Sequence, residues 1–200
     1  MSSGESGLAG AAADDAADVV DLYIRAMAAF GNQIVELTDE QWLQTTPCPE
    51  WDALTLCAHV VLGEAQVVEM IDGHASPADR AMEVGILGSD PVAAWRGTAL
   101  RAIEEVRVAD LDMVVKHPLG PQPLSRVLGF RITDNLVHAW DISVVRDDPM
   151  ELDPEIAQWC LDFWLPMADG LSASGFFGAM TEPADDTPGA RLLALLGRSA

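Results

Sequence analysis

The chain has 200 residues, enough for one domain with a substantial core. Half of them are hydrophobic, which excludes a disordered tail, and 32 acidic residues against 11 basic ones give a formal charge of -21. A surface this negative repels phosphate backbones and anionic lipid, which argues against nucleic acid and membrane surfaces as partners.

The opening MSSGESGLAGAAADD has no basic region followed by an apolar segment, so it is not a secretory signal. Residues 1–13 read as a flexible leader, and residues 14–200 as a single domain. A first helix is expected from Asp14 to Leu37, with Leu22, Tyr23, Ala26, Phe30, Ile34 and Leu37 on its inner face. Thr46-Pro47-Cys48-Pro49 is a loop, because two prolines deny the backbone its donors. Asp52 caps a second helix that runs to about Ile71, where Asp72-Gly73 stops it. The stretch up to Gly88 reads as an irregular connection.

A third helix starts at Ser89-Asp90-Pro91 and places Val92, Trp95, Leu100, Ile103 and Val106 inward. LDMVVKHPLGPQPL predicts a short ribbon or bent loop around the turn at Pro118-Leu119-Gly120-Pro121. The fourth helix is expected over Ser125 to Val145, ended by Asp147-Asp148-Pro149, and a fifth over Pro154 to Ala168. Gly170 to Pro188 is a loop, and Arg191 to Leu196 a short helix stopped by Gly197. Four long helices with little strand predict an all-α four-helix bundle with extra C-terminal helices. No apolar run reads as long enough to cross a bilayer. Cys48, Cys57 and Cys160 show no paired spacing, which fits reduced thiols in a cytoplasm.

The fourth helix, RITDNLVHAWDISVV, is apolar nearly all round, so it is buried. At about 100° per residue, Val127, Arg131, Asp134, His138, Asp141 and Val145 fall on one line. A buried polar line must reach water or find partners. Asp134 and His138 stand at i and i+4, so a carboxylate and an imidazole project from adjacent turns of one face. The second helix offers His59 on a face with Thr55, Gly63 and Gln66, where Gly63 leaves space beside the imidazole. Two imidazoles and one carboxylate suit zinc, nickel or ferrous iron with positions left open. Taken singly, a core histidine and a local Asp–His pair explain the same residues. Their joint appearance on two apolar helices favours the metal.

The remaining candidates carry weaker chemistry. Asp141 reads as an outer hydrogen-bond acceptor or interhelical salt bridge, and Arg131 as a partner of Asp134 or an orienter of an anionic substrate. Cys48 reads as a packing residue of its loop, with a reactive thiol as the other reading, and Cys57 and Cys160 as small core residues. His74 and His117 lie in connecting segments. The tryptophans read as core and anchor residues. Glu64 and Glu69 point away from the His59 line and read as solvated or locally paired.

TTPCPEWDALTLCAHVVLGE, with LTDEQW upstream, resembles the segment that carries the first metal histidine of the DinB-like superfamily. More narrowly, it resembles the metal-binding domain of mycothiol-dependent maleylpyruvate isomerases. DNLVHAWDISVV is similar to the second signature of that group, and RLLALLGR to the ending of a small actinobacterial branch. The resemblance covers about Val19 to Gly197. It implies a four-helix bundle holding a divalent metal, zinc first among the choices, on His59, Asp134 and His138. The mycothiol-dependent enzymes usually show Glu where Asp134 stands. They also carry a separate C-terminal domain, for which too little chain follows this bundle.

The function so implied is activation of a low-molecular-weight thiol, mycothiol, for transfer to or isomerisation of a small electrophile. Hydrolysis by metal-activated water is a variant. The contrasting reading is a bundle that binds metal or a small ligand without catalysis, or whose site is empty. A homodimer through exposed helix faces is compatible with either.

Overall fold

A computed structural model describes residues 6–49, 51–75, 84–168 and 177–199. Among these, helix α1 spans Ser6–Ile34, α2 Ala53–Ile71, α3 Pro91–Val108, α4 Leu124–Val145, α5 Pro154–Trp164 and α6 Pro188–Leu195. A two-stranded antiparallel ribbon, β1 (Val114–His117) and β2 (Gly120–Pro123), precedes α4 and pairs His117 with Gly120. The all-α expectation with one short ribbon therefore holds.

Local chemistry sets the boundaries. Asp52 and Asp90 cap α2 and α3 by accepting from the backbone N–H of Thr55 and Ala93. Asp153 and Thr187 do the same for α5 and α6, each followed by a proline at the first turn. Helix α1 begins upstream of the expected Asp14, because the alanines of that stretch favour helix over the flexible leader its Gly and Ser suggested. Residues 1–5 of that leader lie outside the described residues, as does the 170–176 part of the expected Gly170–Pro188 loop. α1 also ends before Leu37. There Thr38 and Gln41 exchange side-chain and backbone hydrogen bonds that start a separate 3₁₀ turn, Gln41–Leu43.

The four long helices close a ring: α1 packs on α4, α4 on α2, α2 on α3, and α3 back on α1. Tyr23, Phe30, Leu56, Leu128, Ile132, Leu136 and Ile142 are fully buried between them. Helix α5 covers the outer side of α4, and α6 packs on α5. This leaves α4 enclosed almost all round, as its composition requires. Leu100 departs from expectation and is 56% exposed, because Ala99, Ala102 and Val106 take the inner face of α3.

One sequence expectation needs correction. Helix α2 is long and apolar enough by length and composition to cross a bilayer, with 19 residues and mean hydropathy 1.4. Its apolar side chains instead fill the bundle interior, together with a fully buried Glu64.

Candidate metal centre

Helices α2 and α4 bring His59, Asp134 and His138 together. One donor atom from each lies within 4.8 Å of the other two. His59 Nε2 is 3.0 Å from Asp134 Oδ2, and His138 Nε2 is 3.3 Å from Asp134 Oδ1. The shorter Asp side chain therefore spans the gap between the two imidazoles. Exposure runs from 32% at His59 through 23% at Asp134 to 6% at His138, so the site opens past His59 and has His138 as its floor.

The loop before α2 supplies a wall. Thr46 Oγ1 donates to the Trp51 carbonyl at 3.0 Å, Trp51 N–H donates to the Cys48 carbonyl, and Thr45 bridges Asp52. The closed turn sets the Trp51 ring 4.8 Å from that of His59 and 6.1 Å from that of His138.

Two guanidiniums flank the cluster. Arg131 Nη1 donates to Asp134 Oδ2 at 2.6 Å, while its Nε and Nη2 both donate to Glu64 Oε1. Tyr23 Oη donates to the other oxygen of Glu64, and Asn135 Nδ2 to Oε1. Glu64 is thus the hub of a buried network, not a solvated or locally paired residue. It lies more than one helical turn past His59 and faces α1 and α4. The signals available were the chain's one tyrosine and the arginine on α4. The space that Gly63 opens is also filled, because a Cβ there would lie 2.2 Å from Arg131 Nη1. Gly63→Ala should lower stability by about 1–3 kcal/mol in urea denaturation, since the guanidinium cannot retreat without leaving Glu64.

On the far side, His138 Nδ1 lies 2.9 Å from Asp141 Oδ2, so the imidazole donates there and turns Nε2 toward Asp134. Cys48, Asp141 and His138 make a second donor group. The Arg198 guanidinium already serves it, with Nη2 3.0 Å from both Asp141 Oδ2 and Cys48 Sγ. A cation thus occupies the place where a second ion would sit. Arg198 and the role of Cys48 beside His138 escaped sequence reasoning, because neither lies in a periodic segment.

These charges tune the donors. Burial opposes ionisation of Asp134, yet His59, Arg131 and His138 outweigh it and hold the carboxyl well below its ordinary range. Burial likewise opposes charge on His138, but Asp134 and the hydrogen bonds to Asp134, Asp141 and Cys48 raise the imidazole well above its ordinary value. Asp141 is lowered against its burial by His138 and Arg198. His74 is exposed and His117 packs at a tilt against Phe130, ring centroids 5.4 Å apart, so neither joins the cluster. Cys57 and Cys160 are buried, as expected, and burial pushes both thiols up to about 12.

Residues 23–143 match the family described as the mycothiol maleylpyruvate isomerase N-terminal domain, a span that contains His59, Asp134 and His138. Two relatives are uncharacterized proteins of Mycobacterium tuberculosis, Rv0738 of strain H37Rv and MT0763 of strain CDC 1551. Each is 31% identical over 142 residues, which is 70% of this chain and 74% of the relative. No solved structure matches significantly. The resemblance carried by TTPCPEWDALTLCAHVVLGE and DNLVHAWDISVV extends over more than half of the chain, and the protein belongs to the mycothiol maleylpyruvate isomerase N-terminal domain family.

Proposed function

We propose that this protein binds one divalent metal, zinc by preference, on His59, Asp134 and His138, and activates a small thiol for attack on a small electrophile. The observation that carries the reading is the convergence of two imidazoles and a carboxylate within 4.8 Å at the open end of the cluster. The donor set fits the ion. Asp134 is ionised by its neighbours, and once His138 has given up its proton the carboxylates of Glu64, Asp134 and Asp141 outnumber the two guanidiniums by one. A divalent cation bound there favours thiolate over thiol and so raises the nucleophilicity available at neutral pH.

The chain's own residues supply the rest. Arg131 fixes Asp134, Asp141 fixes the His138 ring, and Trp51 closes one side against water. Membership of a mycothiol-related family and two mycobacterial relatives make mycothiol the thiol to test first. Three free cysteines suit a reducing cytoplasm.

Elemental analysis of protein purified without a metal-affinity tag, followed by a mycothiol-transfer assay with a model electrophile, tests both halves. Stoichiometric metal and thiol-dependent conversion of the electrophile support the enzyme. One observation favours a second reading, a binding bundle without catalysis: Asp134 Oδ2 already has His59 and Arg131 as partners. Metal uptake without thiol turnover selects it.

The proton on His138 yields a further expectation. The imidazole must release it from Nε2 for metal to bind, so apparent zinc affinity rises with pH while His138 is protonated, by up to about tenfold per unit, then levels off above its raised value. Competition titrations with a chelator across pH check the slope. An affinity flat throughout the neutral range contradicts it.

A further inference from the structure

We propose that Arg198, in the segment after α6, is a positioning residue for the metal centre, acting through Asp141 on His138. The inference rests on the metal reading above and goes beyond it by assigning a function to a segment outside the bundle and outside the matched family span.

The backbone aims this side chain. Helix α6 ends at Gly197 in the left-handed region, φ 79°. Gly197 N–H donates to Ala194 O at 3.2 Å and Arg198 N–H to Leu193 O at 2.8 Å, the paired bonds of a Schellman ending. A Cβ on Gly197 would stand 2.8 Å from the Gly178 backbone, so the turn is tightly seated. Thr181 Oγ1 donates to the Arg198 carbonyl at 2.7 Å and fixes the segment from its other side. The guanidinium then reaches inward, and the side chain is only 9% exposed. Nε and Nη2 face the two oxygens of Asp141 at 3.4 and 3.0 Å, Nη2 also meets Cys48 Sγ at 3.0 Å, and Nη1 donates to Leu196 O at 2.9 Å.

Asp141 is fully buried. Arg198 spans both of its oxygens through Nε and Nη2, whereas its other partners, Cys48 Sγ and His138 Nδ1, share Oδ2. As a carboxylate it accepts the Nδ1 proton of His138, which fixes the ring and presents Nε2 to the site. Without Arg198, Asp141 keeps only the Cys48 thiol and the His138 ring it is there to hold, so carboxylate and ring can shift together.

Cobalt(II) affinity, read from its visible absorption, tests the chain of contacts. Arg198→Met should weaken binding about 10–100-fold, the usual cost of losing an outer partner of a ligating histidine. Arg198→Lys keeps the charge without the fork and should recover part of the loss. In an Asp141→Asn background, Arg198→Met should change affinity less than about threefold, because the residue it acts through is gone. Helicity is followed alongside, and if Arg198→Met does not fold, Arg198→Lys carries the cycle.

Equal cobalt affinity in wild type and Arg198→Met, or equal losses in both backgrounds, overturns the role of Arg198 while leaving the metal reading intact. Wild-type protein that binds no cobalt overturns the metal reading itself, and this inference with it.

Discussion

His59→Ala protein folds and takes up no zinc. His59 is the outermost of the three donors, with about a third of its side chain in solvent, so its removal opens no sealed cavity. The groups it leaves behind remain paired. Asp134 keeps Arg131 at 2.6 Å and His138 at 3.3 Å, and His138 keeps Asp141. What disappears is the donor from α2, leaving a carboxylate and an imidazole from one face of α4. Zinc sites seldom hold with two protein ligands. The loss should exceed the roughly 10–100-fold expected for removing an outer hydrogen-bond partner. Elemental analysis, chelator competition and circular dichroism on the same preparation check the three parts. Wild-type zinc affinity in His59→Ala would refute the site while leaving the bundle untouched.

Periodicity reveals what repeats along a helix. Helices α2 and α4 are largely apolar away from this line, so the phases of His59, Asp134 and His138 could be read directly, and the structure brings them together. Asp141 and Arg131 were legible for the same reason, as partners of His138 and Asp134. Periodicity is silent on which neighbour a face meets. Glu64 looked like a solvent residue because its partners, Tyr23 and Arg131, come from two other helices. Gly63 looked like open space because the length of an arginine from α4 cannot be inferred from α2. Cys48 sits between prolines and Arg198 follows a helix end, where no repeat exists to set a direction. The outer half of the centre is therefore a tertiary property, whereas its three candidate ligands are a helical one.

Arg131→Met should be the most destabilising single change at the site. Glu64 has no solvent exposure, and its carboxylate is held by Arg131, Tyr23 and Asn135. Of these only Arg131 carries charge. A buried carboxylate stripped of its cation typically costs about 3–5 kcal/mol, far more than an exposed pair contributes. At roughly 2–4 °C per kcal/mol for a chain of this size, Tm should fall by about 6–20 °C. The methionine stem fills much of the volume, so the loss reports charge more than cavity. Glu64→Gln in the same chain removes the stranded charge while keeping most of the shape, and should return a large part of the loss. Arg131 also holds Asp134, so the double variant should regain stability without regaining zinc affinity. That separation distinguishes a residue that merely braces α2 against α4 from one that also presents a ligand. Urea denaturation and chelator competition on the three proteins measure it. A single variant as stable as wild type would mean that the network is not held by the Arg131–Glu64 ion pair.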